Sequence, residues 1–181
     1  MNRRACRATE SEADTAMPIV RASLDTSFWT LGYHAEVLPY LFDYFEVHVM
    51  PEVEHEILAR DSRFPGIVYG YTKLYEVFGA DGRFRAAHCA SRLRQFGRAE
   101  DAAISLALSS GLALLINDIR PHNFARARGV CTVSVPAFVV LLHSERVIHR
   151  SAAEAKLRAI EYNTSPALLA MARTAISKLS S

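Results

Sequence analysis

The chain has 181 residues, half of them hydrophobic and 22% charged, with a formal net charge of +2. Such a composition excludes a wholly disordered chain and supplies enough apolar material for one packed domain. No stretch reaches the roughly 18 consecutive apolar residues that a membrane-spanning helix needs, so a soluble protein with no membrane partner is expected. Three widely spaced cysteines, Cys6, Cys89 and Cys131, with no CxxC pair, point to a reducing cytoplasm.

Met1–Met17 is polar, aperiodic and without an apolar h-region. It reads as a disordered leader ahead of a single domain over residues 18–181. Pro18–Leu24 then predicts a buried strand that runs through Asp25-Thr26-Ser27 into a helix. Helical segments are expected at Phe28–Gly32 and Ala35–Tyr40, and Phe45–Met50 alternates like a strand. Pro51 opens a helix through Arg60, because proline is tolerated at a first helical position. Asp61–Gly70 reads as a loop, followed by helices at Tyr71–Phe78 and Phe84–Gln95.

Arg98–Ser110 is the clearest helix, with Ile104, Ala107 and Leu108 on one stripe and Gly111 as its stop. Leu112–Ile116 is an apolar strand, a short helix reaches Arg128, and Gly129–Thr132 predicts a further strand. Pro136–His143 is a helix, and Ser151–Tyr162 with Pro166–Lys178 makes a helical C-terminal tail. Strands alternating with crossovers too long for hairpins predict an α/β, Rossmann-like fold: a parallel sheet of about four to five strands flanked by helices. In open sheets of this kind ligands sit at the carboxyl ends of the strands.

Acids stand at those ends. Asp25 closes the first strand and Asp118 follows the Leu112–Ile116 strand, while Glu52, Glu54 and Glu56 and then Glu100 and Asp101 are carried on helices. Carboxylates gathered at one place repel one another unless a cation sits among them, and hard oxygen ligands suit Mg²⁺ or Mn²⁺. Each acid also has a plainer role: Asp25 and Asp118 as N-caps, and the glutamates as first-turn acids that favour the helix dipole.

The order of these features resembles the PIN-domain ribonucleases, including the VapC-type toxins of toxin–antitoxin pairs. The matching residues are Leu24-Asp25-Thr26-Ser27, Pro51 with Val53-Glu54-His55-Glu56-Ile57, Gly97-Arg98-Ala99-Glu100-Asp101-Ala102-Ala103-Ile104, and Gly111 through Asn117-Asp118. The likeness spans roughly residues 18 to 142. It implies an endoribonuclease that hydrolyses RNA phosphodiester bonds with Mg²⁺ or Mn²⁺. Asp25, Glu56, Glu100 and Asp118 would be its catalytic acids and metal ligands, and Thr26, Ser27 and Asn117 supporting groups.

Two positions stay open. Glu56 holds the V-x-x-E-I place, whereas a helical wheel puts Glu54 nearer the apolar stripe of Met50, Val53, Ile57 and Leu58. Glu100 has the better spacing to Gly111, whereas Asp101 fits a local D-x-x-I form and is a further candidate metal ligand. Two departures from the pattern are the leader and a long Arg60–Phe96 insertion.

The resemblance also implies a homodimer and an antitoxin partner. Alternatives are an RNA-processing nuclease with no antitoxin, and a non-catalytic PIN-like module that binds RNA or protein and keeps the acids only as caps. Arg83, Arg85, Arg92, Arg94 and Arg98, with Phe84 and Phe96 among them, form either an RNA backbone track or a solvated helix face. The cluster of Phe28, Trp29, Tyr33, Tyr40, Phe42, Tyr44 and Phe45 reads as core or dimer packing rather than base stacking.

Overall fold

A computed structural model of the protein describes residues 19–64 and 66–179. The expected leader lies outside the described residues. Five strands, β1 (Val20–Leu24), β2 (Phe45–Val49), β3 (Phe84–Ala86), β4 (Ala113–Leu115) and β5 (Thr132–Val133), form one all-parallel sheet in the order β3-β2-β1-β4-β5. The helices are α1 (Thr26–His34), α2 (Leu38–Tyr44), α3 (Pro51–Leu58), α4 (Gly70–Ala80), α5 (Arg98–Ser110), α6 (Ile119–Arg126), α7 (Val135–Ser144), α8 (Arg150–Ala159) and α9 (Pro166–Leu179). A single 3₁₀ turn, Glu161–Asn163, joins the last two. The α/β, Rossmann-like architecture with a helical C-terminal part is therefore as the sequence predicts. Among the described residues no helix is long and apolar enough to cross a membrane.

The central strands are buried because helices cover both faces of a parallel sheet. Every residue of β4 is buried, as are Ala22, Ser23 and Leu24 of β1. Successive crossovers carry the chain from β1 to β2 to β3, and α5 then brings it back to β4 on the other side of β1. That reversal is a topological switch point, and it opens a crevice beyond the carboxyl ends of β1 and β4. The Asp25 N–H donates to the Leu115 carbonyl at 2.9 Å, so the β1–β4 ladder runs up to the crevice edge.

The segment expected to be a helix over Phe84–Gln95 is instead β3 followed by an irregular stretch over residues 87–97. Tertiary contacts override the local pattern here. Phe84 stacks on Tyr75 at 4.5 Å between ring centroids and meets Trp29 and Phe42 edge-on at 5.5 Å each. Its backbone thereby joins the sheet edge beside β2. The Arg60–Phe96 insertion accordingly supplies α4 and an edge strand of the core. The Trp29 indole, wholly buried, donates to the Tyr71 carbonyl at 2.9 Å and fixes α4 against α1. Phe28 and Trp29 belong to the core, in line with the packing reading of the aromatic cluster.

The other boundaries move by a few residues. β5 begins at Thr132 because Gly129, at φ +83°, makes the left-handed turn that leaves α6. Gly111 ends α5 in the same region at φ +63°.

Candidate active site

Asp25 leaves β1 as the N-cap of α1. Its Oδ2 accepts the Ser27 N–H at 2.9 Å and the Ser27 hydroxyl, while its Oδ1 is buried with no hydrogen-bond partner. Ser27 Oγ in turn accepts the Asn117 N–H at 3.0 Å, which ties the end of β4 to the start of α1. Across the crevice, the Thr26 hydroxyl donates to Glu56 Oε2 at 2.9 Å and links α1 to α3. At the start of α5, Glu100 Oε2 accepts the Gly97 N–H at 3.0 Å. A Cβ at Gly97 would come within 3.2 Å of that oxygen, so glycine leaves room for the carboxylate to fold back.

Asp25, Glu56, Glu100 and Asp118 line one cavity of about 410 Å³, together with Thr26, Ser27, Thr30, Gly97 and Arg98. Its walls come from the ends of β1 and β4, the first turn of α1, α3 and the N-terminus of α5. Among the described residues no three His, Cys, Asp or Glu side chains converge as a ready-made metal-binding group.

The charges nevertheless act on one another. Burial pushes the Asp25 carboxyl up to about 7 against the two Ser27 hydrogen bonds, and the Glu100 and Asp118 charges push it the same way. Burial also raises Glu100, opposed by the Gly97 N–H and helped by Asp118 and Glu56. A buried, unpartnered carboxylate oxygen in such a field fits a cation, because a cation would relieve both the desolvation and the repulsion.

The structure separates the open alternatives geometrically. Glu56 lines the cavity, whereas Glu54 is exposed and outside it; burial raises the Tyr75 phenol on α4, and the Glu54 charge raises it further. The wheel favoured Glu54 because it measures closeness to the buried stripe, while the crevice lies at that stripe's edge. Glu100 lines the cavity and Asp101 does not. The buried Asp101 carboxylate accepts the Gln95 N–H at 3.1 and 3.2 Å and the Phe96 N–H at 3.0 Å. It holds down the stretch that leads into α5.

Thr26 and Ser27 stand where the residue order put them. Asn117 is buried and reaches the site through its backbone N–H, and its side-chain Oδ1 has no partner. Glu52 lies outside the cavity and pairs with Arg92 at 2.6 Å.

Sequence reasoning did not place Arg98 or Thr30 at the cavity. Thr30 was findable, since it stands one helical turn beyond Thr26 and donates to the Thr26 carbonyl at 3.0 Å. Arg98 carried only the general signal of an arginine run, with nothing to tell it from Arg83 or Arg92.

Fold and cavity together define an α/β protein with a carboxylate-lined cleft at its topological switch point. No family model and no curated protein matches the sequence. Among solved structures, the chain is similar to a PilT N-terminus domain protein from the hyperthermophilic archaeon Sulfolobus solfataricus P2, at 16% identity and a TM-score of 0.41, over 64% of this chain and 87% of that one.

Proposed function

We propose that the protein is a Mg²⁺- or Mn²⁺-dependent endoribonuclease of the PIN type, acting as the toxin of a toxin–antitoxin pair. One observation carries the reading: four carboxylates distant in sequence line a single cavity at the switch point, and the most buried of them has an oxygen with no partner. A divalent cation bound there would offset charge on a phosphoryl group and lower the pKa of a water for in-line attack.

Asp25 Oδ1, Glu56, Glu100 and Asp118 would hold it. Magnesium keeps several of its waters and commonly uses only one or two carboxylates, so acids spread around a cavity suit it without a closed protein cage. Ser27 orients Asp25 and Thr26 orients Glu56. Burial and acidic neighbours raise the proton affinity of both Asp25 and Glu100. With one Asp25 oxygen held by Ser27 and the other given to the cation, Glu100 would be the acid to accept a proton from an attacking water.

The reading of a binding module whose acids are merely caps has support of its own, since Asp25 caps α1 and Glu100 accepts the N–H of Gly97 at the start of α5. Capping accounts for one oxygen of each. A neutral Ser, Thr or Asn would cap α1 equally well without a buried charge. The excess cost of Asp25 favours the metal site.

The test is cleavage of a single-stranded RNA by purified protein in Mn²⁺ and in EDTA. Cleavage should need the metal and be lost in Asp25→Asn with its fold intact; no metal-dependent product from the wild type sinks the enzyme reading. Growth arrest on expression, relieved by the same substitution, tests the toxin role.

A further inference from the structure

Three arginines that stand outside any direct ion pair among the described residues gather beside the anionic cleft, although the Arg98 charge also acts on Glu52. Arg98 stands in the cavity wall, and Phe96 immediately precedes it beyond Gly97. The Arg120 guanidinium, two residues past Asp118, is centred 5.8 Å over the Phe96 ring. Phe96 meets Phe124 edge-on at 5.0 Å, and the Arg128 guanidinium lies 3.4 Å over Phe124.

The result is a ladder, Arg120–Phe96–Phe124–Arg128, that leads from the cavity along α6. Its arginines are exposed and its rings half-buried. Neither Arg98, Arg120 nor Arg128 has an ion pair among the described residues, whereas Arg85 is paired to Glu46 and Arg92 to Glu52.

We infer that this ladder is the track for single-stranded RNA, taking the strand away from the cavity with phosphates on Arg98, Arg120 and Arg128 and bases against the Phe96 and Phe124 steps. Arginine fits both tasks, because its planar guanidinium pairs with phosphate and offers a stacking face while resting on an aromatic ring. Alternating cations and rings are what sequence-tolerant single-strand binding needs. The four carboxylates repel a polyanion, so a strand approaches them only where cations stand alongside.

The arginines between residues 83 and 98 do not form this track. β3 lies at the sheet edge opposite β5, and Arg83 and Arg85 are held there, the first over Phe42 and the second beside Glu46. Arg98 belongs instead with two arginines that follow Asp118. The inference names the substrate path for the nuclease reading above and rests on that reading for what happens at the cavity, although binding is measurable without it.

The experiment is fluorescence anisotropy of a labelled single-stranded RNA with the full chain in EDTA, where no cleavage is expected, at several salt concentrations. The variants are Arg120→Ala with Arg128→Ala, and Arg85→Ala as a control. Thermal midpoints check folding.

The paired variant should bind about tenfold more weakly, and its log–log salt slope should fall by about 0.7 for each arginine removed. Arg85→Ala should bind as the wild type does, and duplex RNA should bind more weakly than the single strand. The track is overturned if the paired variant binds like the wild type, if Arg85→Ala costs as much, or if the wild type does not bind single-stranded RNA. Arginine-dependent binding without Mn²⁺-dependent cleavage would keep the track and remove the nuclease. Cleavage with unchanged binding in the paired variant would do the reverse.

Discussion

The backbone N–H of Asn117 donates to Ser27 Oγ across 3.0 Å, and the same hydroxyl donates to Asp25. One serine thus joins the end of β4 to the end of β1 and holds Asp25 with one carboxylate oxygen engaged and the other free of partners. Residues 90 apart in the chain make this contact only because the sheet order places β1 beside β4. Several measurable consequences come from that arrangement.

Asp25 should make stability fall as pH rises. Burial pushes its folded-state pKa up to about 7 from the ordinary 3.8 of an aspartate, so between those values the folded state binds more protons than the unfolded state. Stability in EDTA should therefore decline from about pH 4 to pH 7 and level off above, by an amount on the order of 4 kcal/mol from this group. Urea denaturation of wild type and Asp25→Asn across that window checks it: the variant's profile should be flatter, and equal slopes would contradict the assignment of burial as the cause.

Metal binding should raise the melting temperature, and Asp118 should be needed for it. At a Mn²⁺ concentration of about 100 Kd the folded state gains about 2.7 kcal/mol, which is roughly 5–10 °C for a chain of this size. A thermal-shift titration should show that rise in the wild type and none in Asp118→Asn. Equal rises in both would place the metal elsewhere.

Glu56 and Glu54 should separate cleanly. Glu56→Gln keeps an acceptor for the Thr26 hydroxyl but removes a charge from the cavity, so Mn²⁺-dependent cleavage should drop by about a hundredfold, the scale of a lost charged group in a preorganised site. Glu54→Gln, outside the cavity, should leave cleavage within about twofold and stability within about 0.5 kcal/mol. Matched kinetics of the two proteins settle which glutamate faces the chemistry.

Asp101 and Glu100 should differ in kind. Asp101→Ala strands the Gln95 and Phe96 N–H groups and should cost about 1–3 kcal/mol of stability, while the Mn²⁺-induced rise in melting temperature persists. Glu100→Gln should cost little stability and weaken the Mn²⁺ response. Chemical denaturation and thermal shift on both variants test the pair; a lost metal response in a folded Asp101→Ala would return Asp101 to the cavity.

The α/β class, most strands and helices, and the four acids at strand and helix ends were legible in the sequence because they rest on local physics. The apolar run at Leu112–Ile116, the stripe of Ile104, Ala107 and Leu108, and the proline that opens α3 each report on their own immediate burial or backbone. β3 was not legible. Three residues are too few to show a strand's period, and Phe84 joins the sheet because Trp29, Tyr75 and Phe42 wait for it there.

Residue order narrowed the acids to pairs, Glu54 or Glu56 and Glu100 or Asp101, since neighbouring positions within one helical turn carry the same carboxylate chemistry. Only the packed structure separated them. In the folded chain Glu56 and Glu100 line the cavity, and the backbone ahead of α5 occupies Asp101. The regrouping of Arg98 with Arg120 and Arg128 was likewise a matter of sheet order: the chain crosses from one edge to the other between Arg85 and α6, and distance along the chain says nothing of that crossing.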